Sequence, residues 1–210
     1  MTTIDLKNIL NGESFKKTAK NLYGADAPKA EARILSLAQK HTEKFKGDFK
    51  LFSSPGRIEV IGNHTDHNNG KVVASAVSVD TLGAVSLSQD NFIKIVSQGY
   101  NDTILNINSL LPDKSEEGST ASLVRGVLKG FTDRGFAIGG FNATVESSVP
   151  KGAGMSSSAS FELLIAEILN VFFNGGKISA IENLDDPRSI GGEYRKMGLS
   201  YRKTSTCSFD

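Results

Sequence analysis

From Val149 to Ser160 the chain reads Val-Pro-Lys-Gly-Ala-Gly-Met-Ser-Ser-Ser-Ala-Ser, and an apolar run from Phe161 to Phe173 follows at once. A loop of glycine, alanine and serine that opens into a helix brings free backbone N–H groups, hydroxyls and small side chains to one place. Such a helix end favours an anion, because its first-turn amides have no intrahelical acceptor and the helix dipole is positive there. Gly152 and Gly154 let the backbone approach that anion with no Cβ in the way. The ligand that fits is a polyphosphate. The alternative is a Ser-rich N-cap for a core helix, although the three consecutive serines Ser156, Ser157 and Ser158 exceed what one cap uses. Neither G-x-x-x-x-G-K-S/T nor a G-x-G-x-x-G following a strand is present. No G-x-S-x-G elbow accompanies the serines, which disfavours serine hydrolysis.

A second stretch, Ser54-Pro55-Gly56-Arg57-Ile58-Glu59-Val60-Ile61-Gly62-Asn63-His64-Thr65-Asp66-His67-Asn68-Asn69-Gly70, reads as a turn, a short strand and a polar loop. Arg57 suits a phosphate or an anionic transition state. Asn63, His64 and Asp66 are the hydrogen-bonding groups that grip vicinal hydroxyls. Two other readings stand beside this one. The loop is also an ordinary Asn/Asp/Gly-rich turn. His64, Asp66 and His67 also carry metal-ligand chemistry, but neighbouring side chains diverge and no fourth ligand is evident.

Both stretches resemble signature motifs of the GHMP small-molecule kinases, and of the galactokinase family in particular. Gly56 to His67 is similar to the galactokinase signature, in which a strand carries G-R and ends in G-E/N-H-T-D. Pro150 to Ser160 is similar to the superfamily phosphate loop P-x-x-A-G-L/M-S-S-S-A-S. The resemblance runs over residues 15 to 182. It implies transfer of the γ-phosphoryl of ATP to the anomeric hydroxyl of galactose, with Mg²⁺. Lys151, Gly152, Ala153, Gly154, Met155, Ser156, Ser157 and Ser158 would then cradle the ATP phosphates, and Ser157 or Ser158 would ligate Mg²⁺. Arg57 inherits the place beside the reacting hydroxyl, and Asn63, His64 and Asp66 inherit the sugar. Asn63 replaces the commoner Glu, exchanging an acceptor-only group for a mixed donor and acceptor. A non-catalytic sugar or nucleotide sensor and a GHMP kinase for another sugar are the competing functions.

The resemblance breaks in the tail. After the phosphate helix a galactokinase carries A-E-N/H, whose Glu helps bind Mg²⁺, and then G-L/I-M-D-Q, whose Asp is the catalytic base. Here the chain reads Glu193-Tyr194-Arg195-Lys196-Met197-Gly198-Leu199-Ser200 and ends at Asp210, with no carboxylate between Glu193 and that residue. Codons for Arg195-Lys196-Met197 read in another frame can encode Glu-Asn, so the expectation is a frameshift near Tyr194 and an inactive fragment lacking the C-terminal domain. The domains expected are a lead over 1–25, the galactose- and ATP-binding domain over 26–182 and an aberrant tail over 183–210.

These motifs need a scaffold, and 210 residues suffice for one core. Lys+Arg 24 against Asp+Glu 23 leaves a net charge of +1, so no basic surface argues for nucleic acid or an anionic membrane. The single Cys207 excludes an internal disulfide framework, no apolar run has membrane length and the N-terminus is not a secretory signal. A cytoplasmic protein is expected. Residues 5 to 23 read as a polar, weakly amphipathic lead, and Asp26-Ala27-Pro28 starts a helix with Ile34, Leu35, Leu37 and Ala38 on its apolar face. Period-two patterns mark strands around Leu51 to Ile61, Leu82 to Leu87 and Ile93 to Ile95, with Gln89-Asp90-Asn91 as a hairpin turn. A further strand over Thr103 to Ile107, a helix carrying Leu123, Val124, Val127, Leu128 and Phe131, and a strand carrying Phe141, Ala143 and Val145 complete the set. This grouping predicts an α+β fold; the resemblance specifies a GHMP kinase N-terminal domain, a mixed β-sheet backed by helices.

Overall fold

The computed structural model describes residues 3–62, 71, 73–111 and 113–178. The lead over residues 3–23 forms α1 (Thr3–Asn11) and α2 (Glu13–Tyr23). They lead into α3 (Ala27–Lys44), which starts where Pro28 occupies the first turn, a position that needs no N–H donor. The strands are β1 (Lys50–Ile61), β2 (Val73–Leu87), β3 (Phe92–Ser97), β4 (Thr103–Asn106) and β5 (Phe141–Ser147). Two further helices are α4 (Thr120–Asp133) and α5 (Ser157–Phe173). No helix among the described residues is long and apolar enough to cross a membrane.

One five-stranded sheet runs in the order β1-β2-β5-β3-β4, and it is mixed: β3 and β5 are parallel and the other pairs antiparallel. This corrects one expectation. The turn at Gln89-Asp90-Asn91 exists, but β2 and β3 do not pair, because β5 lies between them. The turn chemistry is local: Asp90 accepts from the Ser88 hydroxyl at 2.7 Å and from the Phe92 amide at 3.1 Å. The partner choice is not local. Phe141, Ala143 and Val145 of β5 are buried against α4 and α5, while Thr144 is buried on the opposite face. A strand covered on both faces belongs in the middle of a sheet. Gly140 permits the entry of β5 beside the turn, since a Cβ there would lie 2.0 Å from the Asp90 carbonyl oxygen.

Helices cover both faces of the sheet. Leu6, Leu10, Phe15 and Ala19 of α1 and α2 share one cluster with Ile34 and Leu37 of α3 and with Leu51, Leu82 and Ala84 of the sheet. On the other face Val124, Val127, Leu128 and Phe131 of α4 and Leu164, Ile165, Ile168 and Leu169 of α5 pack on Phe52, Val85, Ile93 and Ile95. His41 is a core residue beneath the sheet, its Nδ1 3.1 Å from Thr144 Oγ1 and its Nε2 3.2 Å from Ser86 Oγ. Burial lowers its pKa to about 4, so the imidazole is neutral.

Candidate functional site

The loop between β5 and α5 is held in an unusual backbone state. Gly152 and Gly154 have φ of 70° and 72°, and Ser156, at φ 56°, is the one non-glycine residue with positive φ among the described residues. A left-handed conformation costs an L-residue about 1–2 kcal/mol. Ser156 occupies the N-cap of α5 and makes no side-chain capping bond. The contrast with α4 is direct, for there Ser119 Oγ accepts from the Ser122 amide at 3.3 Å. Ser156 therefore does not cap α5 through its side chain. A Cβ built on Gly152 or Gly154 would meet nothing within 4 Å, so the loop backbone faces open space at both positions. That cradle fits a phosphate.

The loop is tied to the β1–β2 hairpin. The Arg57 amide, in β1, donates to the Met155 carbonyl at 3.1 Å. Gly56 makes this approach possible, because a Cβ there would lie 3.1 Å from both Met155 O and Val149 Cγ1. At the start of the loop the Ser148 amide donates to Asp80 O at 2.8 Å, and Ser148 Oγ accepts from the Asp80 amide at 3.0 Å. Asp80 is itself fixed: its carboxylate accepts from Tyr23 Oη at 2.6 Å, Ser53 Oγ at 2.7 Å and Arg33 Nη1 at 2.9 Å. Burial, with the Asp80 charge beside it, pushes the Tyr23 phenol well above its ordinary value.

Beside the loop lies a cavity of about 320 Å³, with Lys151, Ser157 and Ser158 at one side and Tyr100, Ser119 and Phe161 among its other walls. Lys151 Nζ rests 3.9 Å from the centroid of the Tyr100 ring. The structure thus brings together Arg57, Lys151, Gly152, Ala153, Gly154, Met155, Ser156, Ser157 and Ser158, two segments far apart in sequence. Asn63, His64 and Asp66, and the tail over 183–210, lie outside the described residues.

Sequence reasoning missed three features of this region. Tyr100 follows Gly99 in a polar turn, where nothing marks it as a wall of the cavity. Asp80 and Thr81 did carry a signal, a polar pair in the middle of an apolar strand, and both are almost wholly buried. Glu162 carried one too, as a carboxylate inside an apolar run. It is 5% exposed, and burial raises its pKa to about 7.

Comparison with known proteins bears on the same two segments. The galactokinase galactose-binding signature matches residues 39–87, and the GHMP kinases N terminal domain matches residues 122–196. The chain is 36% identical to the galactokinase of Clostridium tetani over 138 residues, which cover 65% of this chain and 35% of that protein. It is 40% identical to the galactokinase of Clostridium acetobutylicum over 139 residues, covering 62% of this chain and 36% of that one. The aligned region spans about a third of the length of these curated relatives. The crystal structure of Lactococcus lactis galactokinase complexed with galactose matches 80% of this chain and 44% of its own, with a TM-score of 0.68 at 26% identity. Methanococcus jannaschii mevalonate kinase shares the fold, with a TM-score of 0.54 at 16% identity over 66% of this chain and 44% of that one. Two family signatures in the expected order, joined in space by the Arg57–Met155 bond, show that the chain belongs to the galactokinase family of the GHMP kinases.

Proposed function

We propose that this chain supplies the galactose- and ATP-binding half of a kinase that converts galactose and ATP to galactose 1-phosphate and ADP. The observation that carries the reading is the Arg57–Met155 bond, which joins the sugar-signature strand to the phosphate loop. The loop amides from Gly152 to Ser158 and the Lys151 ammonium hold the phosphates, in a cradle whose helix end has no capping side chain of its own. Asn63, His64 and Asp66 hold the sugar hydroxyls. Arg57 stands where negative charge grows on the transferring phosphoryl group.

Ser157 and Ser158 line the cavity and present the hard oxygen donors that Mg²⁺ takes. Bound there, Mg²⁺ supplies charge neutralisation on the phosphate oxygens. The anomeric oxygen of galactose forms the new bond to the γ-phosphorus as the bond to the β–γ bridging oxygen breaks. Among the described residues no carboxylate lines the cavity, so removal of the hydroxyl proton falls to residues outside them. We assign the reaction to the cytoplasm, where ATP is available.

Calorimetric titration of the chain with galactose and with MgATP, alongside galactose-dependent ADP release across a panel of sugars, tests the proposal. Saturable binding of both ligands, with galactose preferred over glucose, is expected. Binding of neither ligand by folded protein overturns it, and binding without turnover by a chain extended with the relatives' C-terminal half favours a sensor.

A further inference from the structure

Thr81 lies in the middle of β2 and is 1% exposed, yet its side chain is a hydroxyl. Its Oγ1 lies 2.9 Å from Ser147 Oγ, at the end of β5, and 2.8 Å from Ser160 Oγ, in the first turn of α5. Ser160 Oγ in turn lies 2.7 Å from the Ser54 carbonyl oxygen of β1. Proton counting orients the whole chain. A hydroxyl carries one proton, and a carbonyl can only accept. Ser160 therefore donates to Ser54 O, so its oxygen must accept from Thr81. The Thr81 proton is then committed, and Ser147 must donate to Thr81. The Ser147 oxygen is left to accept from the Val149 amide, 3.2 Å away. Five groups thus form one run of single polarity, from Val149 N–H through Ser147, Thr81 and Ser160 to Ser54 O.

This run spans the phosphate loop from end to end. Val149 is the loop's second residue after the strand and Ser160 lies in the first turn of the helix that follows, so a single hydroxyl on a neighbouring strand ties the two ends together. Backbone pairing already fixes Ser147 opposite Thr81. What the Thr81 side chain adds is the link from that point to the start of α5. Hydroxyls that donate in one direction polarise one another, and Thr81 and Ser160 are both buried, so the link between them is stiffer than its separate bonds.

We propose that Thr81 is a positioning residue for phosphate binding: its hydroxyl fixes the separation of the loop's two ends and so the direction in which the loop amides point. The proposal rests on the phosphate-binding reading of the loop given above. Thr81 and Ser147 edge the cavity beside the loop, but in this role Thr81 acts on the loop through Ser147 and Ser160.

The test compares Thr81→Val, which keeps the shape and loses the hydroxyl, with Thr81→Ser, which keeps the hydroxyl. Ser147→Ala breaks the run at an exposed residue and so serves even where Thr81→Val does not fold. Hydrogen exchange of the loop peptide over residues 149–158, affinity for inorganic tripolyphosphate and affinity for galactose are measured on the full chain. Thr81→Val and Ser147→Ala should each speed loop exchange and weaken tripolyphosphate binding by about fivefold, the worth of a net hydrogen bond. Galactose affinity should hold, Thr81→Ser should restore both losses, and the double variant should lose no more than Thr81→Val alone. Loop exchange unchanged in both Thr81→Val and Ser147→Ala overturns the proposal, as does lower melting temperature with tripolyphosphate affinity intact. Failure of the phosphate reading looks different: the parent chain ignores tripolyphosphate while loop exchange still responds to the variants.

Discussion

The Arg57 amide and the Met155 carbonyl, 3.1 Å apart, join the strand of the sugar signature to the loop of the phosphate signature. The bond uses backbone atoms alone, so it survives most substitutions at either residue. It depends instead on the missing side chain of Gly56, which lets the loop lie against β1.

Gly56→Ala is accordingly expected to push the loop away from β1. Its Cβ would sit 3.1 Å from Met155 O and 3.2 Å from Val77 Cγ2, and the carbonyl is not a flexible chain end that can swing aside. Overpacking of this kind costs about 1–3 kcal/mol. Urea unfolding should show that loss, and tripolyphosphate titration of the folded protein should show weaker binding. Unchanged phosphate affinity would separate the loop from β1.

Ser156→Gly should act in the opposite sense on stability. Glycine occupies the left-handed region freely, which relieves the strain at φ 56° but adds freedom to the unfolded chain. The balance is a gain of about 0.5–1 kcal/mol, read from the urea midpoint. A loss of stability would mean that the Ser156 side chain makes a bond worth more than the strain.

Asp80→Ala should be the most damaging of these changes. It removes the acceptor shared by Tyr23, Ser53 and Arg33 and leaves the half-buried Arg33 guanidinium without that partner. Breaking a buried pair on one side costs about 3–5 kcal/mol. The Arg33–Glu146 contact at 3.2 Å retains part of the compensation, so the lower end of that range is expected in thermal denaturation. A shift worth under 1 kcal/mol would mean that the network adds little.

Two buried groups give the protein opposing responses to pH. His41 titrates at about 4 in the fold against 6.5 ordinarily, so the unfolded chain takes up a proton first and stability is lost as pH falls from 6.5 towards 4. Glu162 titrates at about 7 against 4.5 ordinarily, so the unfolded chain releases its proton first and stability is lost as pH rises from 4.5 towards 7. Between pH 4.5 and 6.5 the two slopes offset each other. Glu162→Gln removes one of them. Its stability should climb with pH across that window by about 1.4 kcal/mol per unit, and at pH 8 it should exceed the parent by about 2–3 kcal/mol. Parallel stability curves for the two proteins would show that Glu162 does not hold its proton in the fold.

Local chemistry was legible in the sequence and partner choice was not. Pro28 placed the start of α3 and the alternation around Phe141 placed β5, because both signals sit within one element. The glycines and serines from Gly152 to Ser158 marked a loop of special backbone, and Gly152, Gly154 and Ser156 all take positive φ there. The hairpin at Gln89-Asp90-Asn91 misled because Asp90 does build a turn there, while the strand pairing was decided by burial of β5 on both faces. His41, Asp80 and Thr81 find their partners on other elements, and spacing along the chain carries no record of such contacts.

The central place of β5 also bears on how the fold is reached. This strand is made after the other four, yet both its neighbours wait for it. Until residues 141–147 arrive, the inner edges of β2 and β3 are unpaired, open to slow non-local pairing and to other chains. The phosphate loop begins where β5 ends. Closure of the sheet and construction of the proposed phosphate site are therefore one event: a chain that has not completed its fold has not yet anchored the start of that loop.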